Sequence, residues 1–405
     1  MLLDLSNPQL NCLAATAEFG IERESLRVTS DGRLAQTKHP FSGNPHIDRD
    51  FCENQVEIIS DVFDSPEAMN RQLGQFLDEV NRELIKSREL LWAFSNPPGF
   101  GSEDEIPVAQ YYGAQRGKSE YRRYLAKKYG KTKMLFSGIH LNISFTDSLL
   151  QAAFKESGTA VYIDFKNDFY IRLAGRLTQY AWLIVFLTAA SPVADDSLGI
   201  KSNMYSSVRC SNQGYWNNFT PFLDYTNLKS YVSSIMRYIA NGDLKAASEL
   251  YYPVRLKPRG ANSLETLLQN GVNHLELRVL DVNPLTRTGI FTEDIRFMQL
   301  LLLYLTVLPD FDFDEEKQIK AIDDVKSAAV FDNAEIRQRA RETLEEIRRF
   351  TDKYFPEYQS VVDYQIHKLS DGNSYAEIVS RRFSEDYMTK GLALAKAYQR
   401  GERDV

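Results

Sequence analysis

Residues 20–26 read Gly20-Ile21-Glu22-Arg23-Glu24-Ser25-Leu26. In a β-strand alternate residues point to the same face, so a strand here carries Glu22 and Glu24 side by side. Two carboxylates in that arrangement repel each other and cost stability unless a cation lies between them. The segment therefore predicts a strand of a sheet and, on one face of that sheet, a place that attracts cations.

Further strands are predicted where apolar and polar residues alternate, at residues 54–59, 134–145 and 274–280. Long stretches separate these segments, and several of the stretches have helical patterns. One helix begins with Ser65 as its N-cap and Pro66 in its first turn. Strands scattered among helices in this way predict an α+β fold built on a mostly antiparallel sheet.

No repeat, low-complexity tract or Ser/Gly-rich linker divides the 405 residues, so we expect a single domain over residues 1–405. Its C-terminal part, residues 291–405, is predicted to be mainly helical. This prediction rests on an apolar stripe at helical spacing, which consists of Ile336, Ala340, Leu344, Ile347 and Phe350.

Bulk properties limit the classes of partner. The formal net charge of -7 disfavours nucleic acid, which usually binds basic proteins. Cys12, Cys52 and Cys210 lie far apart and form no CxxC pair, which favours a reducing cytoplasm over a disulfide framework or a zinc site. The first residues lack the pattern of a signal peptide, and the apolar run 181–190 is shorter than the about 20 residues that span a bilayer. We expect a cytoplasmic protein without a membrane partner.

Acidic and basic side chains recur on the predicted strands. His140 lies on one face of residues 134–145, Glu276 and Arg278 share a face of residues 274–280, and Asp50 and Glu57 lie in or just before residues 54–59. Each strand taken alone is better explained by a solvent-facing side. Together, hard oxygen ligands with one histidine favour Mg²⁺ or Mn²⁺, and a neighbouring arginine can hold a phosphoryl group. Because no Walker A pattern occurs, such phosphoryl chemistry would not use a P-loop.

A series of longer motifs makes the chain recognisable between about residues 19 and 290. In order along the chain they are residues 19–28, 50–59, 137–142, 190–192, 207–209 with 214–215, 251–255, and 275–278 with 281–284. With these motifs the chain resembles bacterial glutamate–cysteine ligases, which are relatives of glutamine synthetase. The resemblance implies one catalytic domain whose antiparallel sheet curves into a funnel, with helices packed outside.

The resemblance also implies roles for individual residues. Two Mg²⁺ sites are expected, one formed by Glu22, His140 and Glu276, the other by Glu24, Asp50 and Glu57. Arg278 and Arg255 are expected to hold the transferred phosphoryl group, and Arg209 to contact a substrate carboxylate. The acceptor pocket is expected to consist of Tyr121, Tyr215, Tyr251, Phe51 and Leu125. Structural ion pairs for the arginines, and simple packing for the tyrosines, remain alternatives.

The implied reaction joins the γ-carboxylate of glutamate to cysteine through γ-glutamyl phosphate, the first step of glutathione biosynthesis. ATP would be the co-substrate and Mg²⁺ the cofactor, with Mn²⁺ as an alternative. The partners would be small-molecule substrates, and the oligomeric state is left open, with a monomer among the options. Met134 and Leu141 depart from the family's usual glutamine and tyrosine, so a γ-glutamyl ligase with another amine acceptor is a second hypothesis. A non-catalytic binding protein and a metal hydrolase are the alternatives from other classes.

Overall fold

Seven strands form one sheet within residues 1–402, which are the residues that this computed structural model describes. The sheet order is β2-β3-β1-β5-β7-β6, with β4 paired to the end of β1, and every pairing is antiparallel. The strands are Ala17–Thr29 (β1), Ile47–Asp48 (β2), Gln55–Ile59 (β3), Glu89–Leu91 (β4), Gly138–Phe145 (β5), Val254–Lys257 (β6) and His274–Asp281 (β7).

The α-helices pack around this sheet. They are Pro8–Ala14 (α1), Pro66–Ser87 (α2), Arg116–Tyr129 (α3), Asp147–Ser157 (α4), Tyr162–Thr188 (α5), Leu228–Asn241 (α6), Leu264–Asn270 (α7), Thr292–Val307 (α8), Glu315–Ala328 (α9), Ala334–Tyr354 (α10), Gln359–His367 (α11), Tyr375–Phe383 (α12) and Tyr387–Gln399 (α13). Within residues 1–402, every helix falls short of the length and apolarity that crossing a bilayer requires.

The two faces of the sheet differ in chemistry because side chains alternate along each strand. Ile21 of β1, Leu141 of β5 and Leu277 of β7 belong to the main hydrophobic core. The long helix α5 is buried on most of its surface and lies against β6 and β7 on this side. Polar side chains of the same three strands point to the opposite face, so the core helices fix the position of the polar face without occupying it.

Strand β1 is the centre of the polar face because it pairs with β3 on one side and with β5 on the other. In this register Glu22 lies opposite His140, and Glu24 lies opposite Glu57. The ladder between β5 and β7 changes register between Ile139 and Leu141, next to His140. A bulge of this kind re-aims side chains and is common beside functional sites.

The predicted α+β class, with an antiparallel sheet and helices outside it, is confirmed. Residues 134–137 were wrongly predicted as strand, because Thr132–Leu135 is a 3₁₀ turn and β5 begins at Gly138. Ser65 caps α2 as expected, accepting a hydrogen bond from the backbone of Ala68. Helices α8–α13 follow one another towards the C-terminus. The single domain over residues 1–405 stays a prediction, and residues 403–405 of that range lie outside the described residues.

Candidate active site

One cleft on the polar face of the sheet brings together all the predicted site residues. They come from β1, β3, β5, β6, β7, α3 and the loops between them. The predicted residues that line the cleft are Glu22, Glu24, Asp50, Phe51, Glu57, Tyr121, Leu125, His140, Arg209, Tyr215, Tyr251, Arg255, Glu276 and Arg278. It is also lined by Gln55, Arg122, Met134, Phe136, Ser248, Lys257 and Asn262.

Three of these side chains form a compact group at the point where β1, β5 and β7 lie side by side. One ligand atom from each of Glu22, His140 and Glu276 lies within 4.8 Å of the others. The imidazole Nδ1 of His140 is 3.1 Å from Glu22 Oε2, and Asn142 Nδ2 donates to Glu22 Oε1 at 3.1 Å. The three residues are far apart in sequence, so the sheet alone creates this group.

The chemistry of this group fits a divalent cation. Two carboxylates and one imidazole suit Mg²⁺ or Mn²⁺. Glu276 is 1% exposed, and its Oε2 accepts no hydrogen bond from residues 1–402. Burial opposes ionisation of Glu276, but Arg278, Lys257 and Arg255 outweigh it and hold its pKa well below the ordinary value. Burial also opposes ionisation of Glu22, yet the hydrogen bond with His140 brings the pKa of Glu22 below its usual value. Both carboxylates are therefore charged at neutral pH.

The second predicted set, Glu24, Asp50 and Glu57, is less compact. Within residues 1–402, the three carboxylates do not come as close together as the first group does. Glu24 and Glu57 are direct cross-strand partners, whereas Asp50 lies further out, with its Oδ1 3.7 Å from Arg122. Burial, followed by Asp50 and Glu22, raises the pKa of Glu57 well above its ordinary value. A proton or a bound cation relieves this repulsion.

The predicted phosphoryl-binding arginines differ in how far their donors are committed. Arg278 Nη1 lies 3.2 Å from Glu276 Oε2 and 3.4 Å from His140 Nδ1. Arg255 donates through Nε and Nη2 to the carbonyl of Leu250, and through Nη2 to that of Ser248 at 2.8 Å. Much of the Arg255 guanidinium therefore holds the backbone of the turn before β6, while Arg278 faces the carboxylates.

Arg209 is also tied to the backbone. Its Nη1 donates to the carbonyl of Arg278 at 2.7 Å and to that of Leu280 at 3.4 Å. The guanidinium also lies against Gly138, where a Cβ would approach it to 2.4 Å. Any larger residue at position 138 would push Arg209 out of place, so the Ser-Gly of the motif at residues 137–142 has a steric reason.

One wall of the cleft is apolar and aromatic. Phe51, Leu125 and Met134 are each less than 7% exposed. The rings of Tyr215 and Tyr251 lie with their centroids 4.0 Å apart, and Tyr121 accepts a hydrogen bond from Ser248 at 3.1 Å. This wall suits a small apolar or thiol side chain better than a charged one.

Lys257 and Gln55 are two of the lining residues that were not predicted from the sequence. Lys257 Nζ lies 3.1 Å from Glu276 Oε1. Gln55 is 2% exposed, and its Oε1 accepts hydrogen bonds from the backbone of Phe51 and of Cys52, at 2.8 and 2.7 Å. Its Nε2 donates to the carbonyl of Met134 at 3.0 Å. One buried amide thus joins two sides of the cleft. In the sequence, Gln55 was marked only as a polar residue at the start of a strand that continues as Val-Glu-Ile-Ile.

Comparisons with known proteins point to one family. The family model described as glutamate-cysteine ligase matches residues 2–243 and 219–327. The glutathione biosynthesis bifunctional protein GshAB of Listeria innocua is 33% identical over 429 residues, which cover 97% of this chain and 56% of the relative. GshAB of Listeria monocytogenes (strain F2365) is 38% identical over 317 residues, covering 73% of this chain and 41% of the relative.

Two solved structures are similar. A bifunctional glutathione synthetase from Pasteurella multocida superposes with a TM-score of 0.88 at 28% identity, over 98% of this chain and 54% of that one. A glutamate–cysteine ligase from Francisella tularensis, in complex with AMP, has a TM-score of 0.85 at 23% identity, over 96% of this chain and 89% of that one. The second match shows likeness of fold alone. The chain spans about half the length of the curated relatives it matches, from 41% to 56% for the two given above. The family match, the sequence relatives and the shared fold together lead to one conclusion: the chain belongs to the glutamate–cysteine ligase family.

Proposed function

We propose that this chain catalyses the ATP-dependent ligation of L-glutamate and L-cysteine to γ-glutamylcysteine, the first step of glutathione biosynthesis. The observation that carries the proposal is the convergence of Glu22, His140 and Glu276 beside Arg278, in a cleft whose other wall is apolar. A carboxylate is a poor acylating agent, so its phosphorylation by ATP makes attack by an amine feasible. The family match and the bifunctional relatives support this reaction.

Mg²⁺, or Mn²⁺ in its place, is part of the proposal. Glu22, His140 and Glu276 would hold one ion, and a second would use Glu24, Asp50 and Glu57. When bound, the ions supply positive charge to the phosphate oxygens and align donor with acceptor. The raised pKa of Glu57 supports the second site, because closely spaced carboxylates favour a cation between them.

The protein's own side chains have distinct tasks in this proposal. Arg278 offers its guanidinium to the transferred phosphoryl group, because it faces the carboxylates and is ordered by Glu276. Arg255 and Arg209 shape the cleft through their bonds to backbone carbonyls, and their remaining donors would be available to substrate. The acceptor would lie against the apolar and aromatic wall of Phe51, Leu125, Tyr121, Tyr215 and Tyr251.

The test is an acceptor panel. Purified protein with ATP, Mg²⁺ and glutamate should release phosphate fastest with cysteine, and mass spectrometry should detect γ-glutamylcysteine. Excess chelator should abolish phosphate release, and added Mg²⁺ or Mn²⁺ should restore it. Phosphate release without glutamate, or activity that survives the chelator, would contradict the proposal.

A γ-glutamyl ligase with another acceptor is the second candidate, and Met134 is the observation that favours it. Met134 is 3% exposed and lines the cleft near Phe51, to which Gln55 ties it. Its thioether adds apolar surface and offers no strong hydrogen-bond donor to the acceptor. If a small apolar amine gives a higher kcat/KM than cysteine in the same panel, this candidate replaces the first.

The remaining proposals concern the surroundings of the reaction. We assign it to the cytoplasm, where a reducing environment would keep Cys12, Cys52 and Cys210 as the free thiols observed. Its partners would be glutamate, cysteine and ATP, without nucleic acid or membrane.

A further inference from the structure

Lys257 differs from the other cationic side chains of the cleft. Five carboxylates and five cationic side chains line the cleft. Within residues 1–402, the cations are the ammonium of Lys257 and four guanidinium groups, which belong to Arg122, Arg209, Arg255 and Arg278. Its Nζ lies 3.1 Å from Glu276 Oε1, and its side chain is 12% exposed. Lys257 therefore reaches directly into the group formed by Glu22, His140 and Glu276.

The ammonium of Lys257 is less anchored than the guanidinium of Arg255, the other cation that β6 places beside Glu276. It has three donors, and Glu276 Oε1 is its one hydrogen-bond acceptor among residues 1–402. By contrast, Arg255 is held by the carbonyls of Leu250 and Ser248. Lys257 is also the last residue of the edge strand β6, and its four-carbon stem is flexible. A change in local charge should therefore move Lys257 before it moves Arg255.

Lys257 and a divalent cation would compete for the same carboxylate. Lys257 Nζ lies 3.1 Å from Glu276 Oε1, so the ammonium offsets the negative charge of this side chain. A dication held by Glu22, His140 and Glu276 would repel an ammonium that contacts the same carboxylate. An ammonium displaced from Glu276 in this way could pair with a phosphate of a nucleotide bound beside the dication.

We propose that Lys257 is a mobile counter-ion. When the divalent cation binds, Lys257 releases Glu276, and its ammonium forms an ion pair with a phosphate oxygen of ATP. The proposal rests on the proposed function, because it assumes that a nucleotide binds in this cleft. It assigns Lys257 two opposing effects: it weakens cation binding when no nucleotide is present, and it strengthens nucleotide binding when a cation is present. A residue with a merely structural role would not produce effects of opposite sign.

The test compares Lys257→Met, which keeps much of the stem but removes the charge, with Lys257→Arg as the charge-preserving control. Electron paramagnetic resonance would measure the affinity of nucleotide-free protein for Mn²⁺. Calorimetry would measure the binding of a non-hydrolysable ATP analogue in the presence of Mn²⁺. Lys257→Gln provides a second charge-removing variant in case the methionine variant folds poorly.

In Lys257→Met we expect Mn²⁺ to bind more tightly, by about threefold or more, and the ATP analogue to bind about tenfold more weakly. Lys257→Arg should keep both affinities nearer to those of the wild type. The inference is overturned if Mn²⁺ binds equally or more weakly in the charge-removing variants, or if the affinity for the ATP analogue does not change. Both measurements are equilibrium affinities, so they judge Lys257 even if the wild-type protein fails to ligate glutamate to any amine.

Discussion

At the scale of single residues, the carboxylates of the cleft differ in the direction in which their pKa values are shifted. Glu276 and Glu22 have lowered pKa values because cationic and hydrogen-bonding neighbours outweigh their burial. Glu57 has a raised pKa because it is half-buried and lies beside other acids. We therefore predict that Glu22 and Glu276 bind a cation in their ionised form, and that a cation bound beside Glu57 would offset its repulsion by the neighbouring acids.

Glu22→Gln should abolish ligase activity with little loss of stability. The substitution removes a negative charge from the group that would bind the cation but keeps the shape of the side chain and one hydrogen-bonding oxygen. We expect kcat/KM to fall by about a thousandfold, as for other removals of an electrostatic contact to the transition state. Thermal unfolding should show a Tm within a few degrees of the wild type.

The matched control is Glu18→Gln. Glu18 lies on the same strand and on the same face as Glu22, but it is exposed and hydrogen-bonds to Ser144. Its neutralisation should leave turnover unchanged. Equal losses in the two variants would assign the effect to the strand and not to a cation site.

Relative to the wild type, Glu57→Gln should raise the free energy of unfolding without Mg²⁺ and lower it with Mg²⁺. Because the folded-state pKa of Glu57 is raised, its ionisation destabilises the folded protein as the pH rises above the ordinary value of 4.5. In chelator the variant should therefore be more stable than the wild type, by about 1 kcal/mol at neutral pH, and by less at pH 5. In saturating Mg²⁺ the order should reverse, because the wild type gains the energy of cation binding.

Urea denaturation of both proteins at pH 5 and pH 7.5 would measure this difference. His39 and His274 have pKa values lowered to about 4, so they also make stability depend on pH in this pH range. Their contributions cancel when the two proteins are compared. A wild type that is more stable than Glu57→Gln in chelator would show that Glu57 is not under electrostatic stress.

At the scale of elements, the longest and most regular segments were predictable. Strand β1 and helix α2 have alternating or helical patterns bounded by clear signals, and both occur close to their predicted positions. Strand β6 was missed because it has only four residues, between Pro253 and Pro258. Lys257 lies in β6 and was missed for the same reason. Alternation along a strand predicts where a side chain points only if the strand itself has been predicted.

Tertiary contacts explain the other elements that were missed. The strand Ile47–Asp48 has two residues and Glu89–Leu91 has three, so each depends on its partner for its assignment. The register change near His140 is equally invisible in a single sequence, because it depends on how β7 fits against β5. Local propensity cannot predict such features.

A buried ion pair joins helix α8 to the C-terminal helices and allows a prediction at this scale. Asp294 of α8 accepts from Lys368 Nζ at 2.5 Å, and Asp294 and Lys368 are both less than 5% exposed. Tyr375 and Gln365 complete the hydrogen bonds of this carboxylate. Asp294→Asn should lower the free energy of unfolding by about 3 kcal/mol, because it leaves a buried ammonium without its counter-charge.

The control is Asp363→Asn, which removes one partner of the exposed pair with Arg348 and should cost less than about 1 kcal/mol. Chemical denaturation would measure both variants. Below its unfolding transition, Asp294→Asn should keep the KM values of the wild type, because none of these residues lines the cleft. Equal losses in the free energy of unfolding would show that the Asp294–Lys368 ion pair contributes no more than a surface ion pair.

At the scale of the whole molecule, the sheet gathers residues that are more than 250 positions apart in the chain. All the site residues inferred from motifs line one cleft, and alternation on strands correctly gave the faces of Glu22, Glu24, Glu276 and Arg278. The order of the strands, and hence which carboxylates meet, was beyond a single sequence. The roles assigned to these residues, including both cation sites, stay predictions.

Direct observation of the cations is therefore the most decisive measurement. Crystals grown with Mn²⁺ and a non-hydrolysable ATP analogue should give an anomalous-difference peak bounded by Glu22, His140 and Glu276, with the analogue's phosphates on the open side of the ion. A peak elsewhere, or nucleotide phosphates bound away from Arg278, would contradict the claim that this sheet face binds the cations that position ATP.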